Sequence, residues 1–259
     1  MATPFLMYHE LGVPGRAPCE DAPGYLRYVV ERSVFVEHLD LLAAQRMSVC
    51  GVAAACRRGL DHASQVVITF DDGCATDAEL AAPLLAARGF GATFFIVSEW
   101  TGTRRGFMTA AQVRELHGQG FEVASHSATH AFLSDLADDR LREELRGSRQ
   151  TLEDMIGAPV RHLSCPGGRW SPRVAAAARE AGYETVSPSR LGVNRARADR
   201  YALARRAIRR DTTRRNFEAI CHGRQPVAAQ FGTAILNGAK RALGNRLYGG
   251  LRNLALRQP

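Results

Sequence analysis

Two adjacent carboxylates, Asp71 and Asp72, follow the apolar, β-branched run Val66-Val67-Ile68-Thr69-Phe70 and precede Gly73. That order reads as a buried strand delivering two acids to its C-terminal end, where parallel sheets gather their chemistry. Neighbouring residues on a strand point to opposite sides, so the two acids suit different tasks: one to hold a cation, one to move a proton. Further on, the strand-like run Phe121-Glu122-Val123-Ala124 leads into Ser125-His126-Ser127-Ala128-Thr129-His130. In a helical turn, histidines four apart share one face. Two imidazoles and one carboxylate make a three-donor set with a position left for water, the arrangement of a hydrolytic zinc or related divalent metal. An isolated Asp-Asp-Gly is usually a turn, and an isolated histidine pair is usually surface decoration. In order, and each after a strand, the two are better explained together as a metal site.

The elements that must position these residues alternate along the chain. Residues 4–8 read as a first strand and 12–24 as a Gly- and Pro-rich loop. Phe35, Leu39 and Leu42 form a helical stripe, and 66–70 is the second strand. A helix is expected over 78–88, ended by Gly89, then a buried strand over 92–97. Thr109 should cap a helix to 119, stopped by Gly120, and a longer charged helix covers 136–155. Residues 160–165 are strand-like, and Ser171-Pro172 opens a helix that ends before Gly182. Residues 183–186 and 203–208 supply the last strands. Alternating strand and helix predicts an α/β fold with a parallel sheet.

The length of 259 residues, 46% hydrophobic, supports one sizeable core. The six cysteines, at 19, 50, 56, 74, 165 and 221, contain no Cys-x-x-Cys pair and read as free thiols, with Cys74 and Cys165 packing as small apolar residues. The first residues carry no basic segment followed by a long apolar run, and no apolar run reaches membrane-spanning length, so a cytoplasmic location is expected. The formal charge is +8, but residues 190–259 carry 16 Lys and Arg against 3 Asp and Glu. This basic part, dense from Arg190 to Arg215, reads either as a solvated face or as an anion-binding surface. No basic motif interleaved with aromatics points to nucleic acid. In residues 225–259, Phe231, Ile235, Ala239, Leu243, Leu247 and Leu251 recur every four residues with basic residues between them. A helix packing back on the domain is the leading reading there, and peripheral contact with the inner membrane face the alternative.

On Thr69-Phe70-Asp71-Asp72-Gly73 and His126-Ser127-Ala128-Thr129-His130 the chain resembles the polysaccharide deacetylases, the NodB homology domain or carbohydrate esterase family 4. Leu6-Met7-Tyr8-His9 and Ser164-Cys165-Pro166-Gly167-Gly168-Arg169 extend the resemblance. It implies a distorted, incomplete (β/α) barrel over residues 1–224, with 225–259 as a basic extension. It implies Asp72, His126 and His130 as ligands of a divalent metal, zinc foremost and cobalt or another first-row ion as alternatives. Asp71 becomes the general base and the Gly167 amide an oxyanion donor.

The chain departs from the family pattern in three places. Ser164 stands where an arginine often orients the base, and Arg169 or Arg205 is expected to substitute; both are also expected to bind substrate. No Asp-rich fourth motif is visible around Thr185-Val186-Ser187-Pro188. The fifth-motif Leu-x-His that supplies a general acid reads Leu203-Ala204-Arg205. The first candidate for that acid is His9, with Asp71 returning its own proton as the alternative. These departures resemble a divergent branch that includes exopolysaccharide and glycoconjugate deacetylases.

The implied activity is metal-dependent removal of an N-acetyl group from an amino sugar of a glycan, glycolipid or sugar-nucleotide precursor, with a phosphate on the substrate as one option. A non-catalytic sugar-binding protein that kept the metal, and an O-acetyl esterase on the same scaffold, are the alternatives.

Overall fold

The computed structural model describes residues 1–62 and 64–224. The repeating stripe of 225–259 lies outside the described residues. The chain begins with β1 (Phe5–Tyr8), β2 (Leu11–Gly12), α1 (Pro23–Leu26), β3 (Val30–Glu31) and α2 (Arg32–Ala44). It continues with β4 (Ser48–Cys50), α3 (Val52–Arg58), β5 (Gln65–Phe70), α4 (Ala82–Ala86), β6 (Thr93–Ile96) and α5 (Ala110–Gly118). The last elements are β7 (Glu122–Ser125), α6 (Asp138–Ile156), β8 (His162–Ser164), α7 (Pro172–Glu180), β9 (Thr185–Ser187), β10 (Arg206–Ala207) and α8 (Arg214–Cys221).

The large sheet runs β10-β1-β5-β6-β7-β8-β9, parallel throughout. It curls into a half-barrel with helices outside, the fold expected. The distortion is visible at β5. Its first half pairs with β4 (Val66 opposite Val49), and its second half with β6 (Phe70 opposite Phe94).

Alternation on the strands sorts two apolar layers. Leu6 and Tyr8 of β1, Val66, Ile68 and Phe70 of β5, and Phe94 and Ile96 of β6 join the core shared with the helices. Phe5, Val67, Phe95 and Ala124 join a smaller layer with Leu203 inside the curl. Tyr8, Phe70 and Phe94 stack across three adjacent strands, with centroids 5.4 and 5.1 Å apart, each pair adding about 1 kcal/mol beyond burial. The same alternation turns Thr69 inward with Val67, so polar chemistry begins one step below the acids.

Thr109 caps α5 through a full capping box with Gln112, as its sequence predicts. The helix expected over 78–88 starts instead as a π-helical turn, Asp77–Ala81, that runs into α4. Pro83 lacks the N–H that would bond the Glu79 carbonyl in a regular helix. The strand expected over 203–208 shrinks to β10. The Asn194 side chain takes both Ala204 backbone groups, at 2.8 and 2.9 Å, and so removes them from any ladder. Strand β4 and helix α3 show no periodicity long enough to read in sequence. Helix α8, capped by Thr213, lies within the segment read only for its charge. No helix among the described residues is long and apolar enough to cross a membrane.

Candidate metal centre and its base

The Asp71 N–H bonds the Tyr8 carbonyl at 3.0 Å, so the ladder of β5 extends to the first acid. Asp72 then enters the left-handed region at φ +80°, followed by Gly73 at +83°. That turn costs a non-glycine residue about 1–2 kcal/mol. It also overrides strand alternation: both acids face the same imidazole nitrogen, contrary to the opposite sides expected from the sequence. His126 Nε2 lies 3.4 Å from Asp72 Oδ1 and 3.8 Å from Asp71 Oδ2.

The histidines do not sit in a helical turn. Residues 126–130 form a loop with Ser127 and His130 both at φ +66°. Side-chain acceptors hold that loop. Ser127 Oγ takes the His130 N–H at 3.1 Å. Buried Glu144 of α6 takes the N–H groups of Ala128 and Thr129, each at 3.0 Å, and the Thr129 hydroxyl at 2.7 Å. Glu144 was not singled out in the sequence. Its signal was available: it lies on the stripe of Leu141, Leu145, Ser148 and Leu152, where a carboxylate is out of place unless it has partners.

Asp72, His126 and His130 each present one donor atom within 4.8 Å of the others. His130 Nε2 is 3.4 Å from the same Asp72 Oδ1. His126 Nδ1 sits 3.0 Å from the Ser164 carbonyl, which only accepts, so Nδ1 carries the hydrogen and Nε2 the lone pair. In the neutral ring that lone pair faces the Asp72 carboxylate, acceptor against acceptor. A divalent cation between them resolves the juxtaposition, and two nitrogens with one oxygen suit a first-row ion. Burial alone would raise the Asp72 carboxyl; His126 and His130 beside it, in the state where their Nε2 atoms carry a hydrogen, outweigh burial and hold the group well below the ordinary carboxylate value. Burial lowers His130, yet Asp72 beside it leaves the ring raised above the usual histidine value.

Arg205 is wholly enclosed and forks onto Asp71. Ser164 Oγ links the two: it accepts from Arg205 at 2.6 Å and donates to Asp71 Oδ2 at 3.1 Å. Arg205 also donates to Thr69 Oγ1 at 3.2 Å. Burial would push Asp71 up; Arg205 first, then His126, reverse this and keep it lowered. With 0% of its side chain exposed, Arg205 has no surface for a substrate, so its expected substrate contact gives way to orientation of the acid. Arg169 does not reach Asp71. It pairs with Asp135 at 2.7 Å and lies 4.0 Å over the Phe132 ring. Gly167 sits beside the same ring, at φ +59°, and a Cβ there would stand 2.7 Å from Phe132.

His9 stacks on Tyr28, with centroids 4.5 Å apart, and its Nδ1 is buried without a partner among the described residues. Burial lowers its basicity more than Asp72 and Asp71 restore it. Tyr8 stands opposite Phe70 in the parallel pair of β1 and β5, so His9 and Asp71 leave the same edge of the sheet.

The profile of the polysaccharide deacetylase family matches residues 59–186. The chain is 34% identical over 128 residues to a chitooligosaccharide deacetylase of Sinorhizobium fredii, covering 48% of this chain and 56% of that protein. It is 29% identical over 122 residues to a peptidoglycan-N-acetylglucosamine deacetylase of Bacillus cereus, covering 47% and 54%. The chain thus spans about half the length of the curated relatives it matches. Among solved structures, the Streptococcus pyogenes deacetylase PplD superposes with a TM-score of 0.74 at 21% identity, over 87% of this chain and 99% of that one. IcaB from Ammonifex degensii gives 0.72 at 22%, over 87% and 97%. The matched segment holds Asp71, Asp72, His126, His130 and Ser164, while Arg205 and His9 reach the same centre from outside it, and the chain belongs to the polysaccharide deacetylase family.

Proposed function

We propose that this chain is a metal-dependent hydrolase that removes the N-acetyl group of an amino sugar and releases acetate. The observation that carries this reading is the pairing of two sets: a three-donor cluster at Asp72, His126 and His130, and an ionised, arginine-forked Asp71 facing the same His126 nitrogen. The names of the S. fredii and B. cereus relatives support the substrate class.

A bound zinc or related ion supplies an acidified water and polarisation of the acetyl carbonyl. Asp71 takes the proton from the attacking water, and Arg205 with Ser164 fixes its two oxygens for that task. The Gly167 amide, in a backbone that a side chain would crowd, serves as donor to the developing oxyanion. The proton then returns from Asp71 to the leaving nitrogen. His9, kept neutral by burial, lines the rim as a hydrogen-bond partner and is a weaker proton donor than a histidinium.

The test is acetate release from N-acetylglucosamine oligomers. Chelated protein should be inactive and regain turnover with zinc or cobalt. D71N should bind the metal and lose turnover by roughly 10²–10⁴-fold. Full activity in D71N, or activity unchanged by chelation, would remove the reading.

A further inference from the structure

A second cluster of donors lies just beyond the acidic pair. Glu10 follows β1, Cys19 stands in the loop after β2, and Cys74 follows Gly73. One donor atom of each lies within 4.8 Å of the other two. Glu10 and Cys74 are buried and Cys19 is half-buried. The Tyr25 hydroxyl joins them, donating to Glu10 Oε2 at 2.8 Å and lying 3.2 Å from Cys74 Sγ. Glu10 also accepts the Cys19 N–H at 3.0 Å.

Among the described residues no cation forms an ion pair with Glu10, and Arg16 acts on Glu10 and Cys19 only as a nearby charge. The neighbouring guanidinium groups are committed elsewhere, Arg16 to Glu79 and Arg104 to Glu20. Independently, Asp77 is 0% exposed, and neither carboxylate oxygen has a hydrogen-bond partner among the described residues. Burial, and then the proximity of Cys19, Asp72 and Glu10, push its carboxyl well above the ordinary range. A fully buried carboxyl without partners is costly and calls for a reason.

We propose that Glu10, Cys19 and Cys74 form a second cation site for a thiophilic divalent metal such as zinc, with Asp77 as the further donor. Two sulfurs and carboxylate oxygens suit such an ion. On binding, each thiol, and the Asp77 carboxyl where it is protonated, gives its proton to solvent and no electron changes hands. Cys19 lies on the wall of an open cavity of about 1300 Å³, which supplies the route in. The bound ion ties the loop that carries Cys19 to the chain just after Asp72, and so steadies one wall of the first centre.

The experiment is anaerobic titration of the reduced, metal-free protein with cobalt(II). We expect two equivalents to bind and a thiolate-to-cobalt charge-transfer band to appear. C19S and C74S should each abolish that band and bind one equivalent. H126A should keep the band, and C50S should change nothing. C19S alters a half-buried loop residue, so it tests the site even where C74S misfolds. Absence of the band in the wild-type titration, persistence of the band in C19S, or a mass two hydrogens short in the protein as isolated with the bridge mapped to Cys19 and Cys74 would each overturn the site; a single equivalent that brings the band would instead remove the first centre.

Discussion

Arg205 holds Asp71 through two parallel hydrogen bonds of 2.6 and 2.8 Å, one to each carboxylate oxygen, with both side chains buried. Separated by 134 residues, they form the best-defined charge pair in the centre. A bidentate fork fixes the plane of the acid as well as its charge. R205K keeps a charge and loses the fork, and R205M loses both. Turnover should fall on the order of 10²-fold in R205K and further in R205M. The acid limb of the rate profile should move to higher pH, because the group that holds Asp71 lowered is gone. An unmoved limb would assign Arg205 to packing alone.

The same pair makes folding pH-dependent. Asp71 is lowered in the folded state, so its stabilisation is full above the unfolded carboxylate value of about 4 and is lost as pH falls through the lowered one. His38 acts over a higher range. It is stacked on Phe217 at 3.7 Å and lies 3.0 Å from the Tyr8 hydroxyl, and burial depresses it to about 4. The unfolded chain takes up that proton near pH 6.5 and the folded chain does not, so stability falls between these values, by about 2 kcal/mol at pH 5. H38Q should flatten the fall in melting temperature from pH 7 to pH 5. An equal slope in both proteins would refute the assignment.

Glu144 holds the histidine loop without touching the candidate ligands. E144A leaves two buried N–H groups and a hydroxyl without their acceptor, at about 1–3 kcal/mol each before relaxation. Metal affinity should drop roughly tenfold to a hundredfold, as for other outer-shell partners. Excess metal should then restore turnover. A loss of turnover that saturating cobalt does not restore would contradict a positioning role.

Gly167 and Gly168 should respond unequally to alanine. Both stand at positive φ, +59° and +66°. At Gly167 the new Cβ meets the half-exposed Phe132 ring at 2.7 Å, which can swing away. At Gly168 it meets Ser189 Cβ at 2.3 Å and the Ser189 N at 2.7 Å, which cannot move without the backbone. G167A should cost about 1–2 kcal/mol for its backbone conformation, and G168A a further 1–3 for overpacking. Urea midpoints would check the order, and equal midpoints would refute it.

The amino-acid order alone determined the parallel α/β plan, the strand that ends in Asp71 and Asp72, and the membership of His126 and His130 in one donor set. Those depend on runs of apolar residues and on spacing within a few residues, which local geometry translates directly. It could not determine that both acids face one imidazole, because that rests on a single left-handed residue after the strand. Nor could it choose between Arg169 and Arg205 as the partner of Asp71. Both are arginines near matching motifs, and only the curl of the sheet brings β10 beside β1, turning one arginine into the interior and leaving the other on Asp135. The meeting of Glu10, Cys19 and Cys74 was equally hidden, since loops converge by tertiary packing and no sequence period records it.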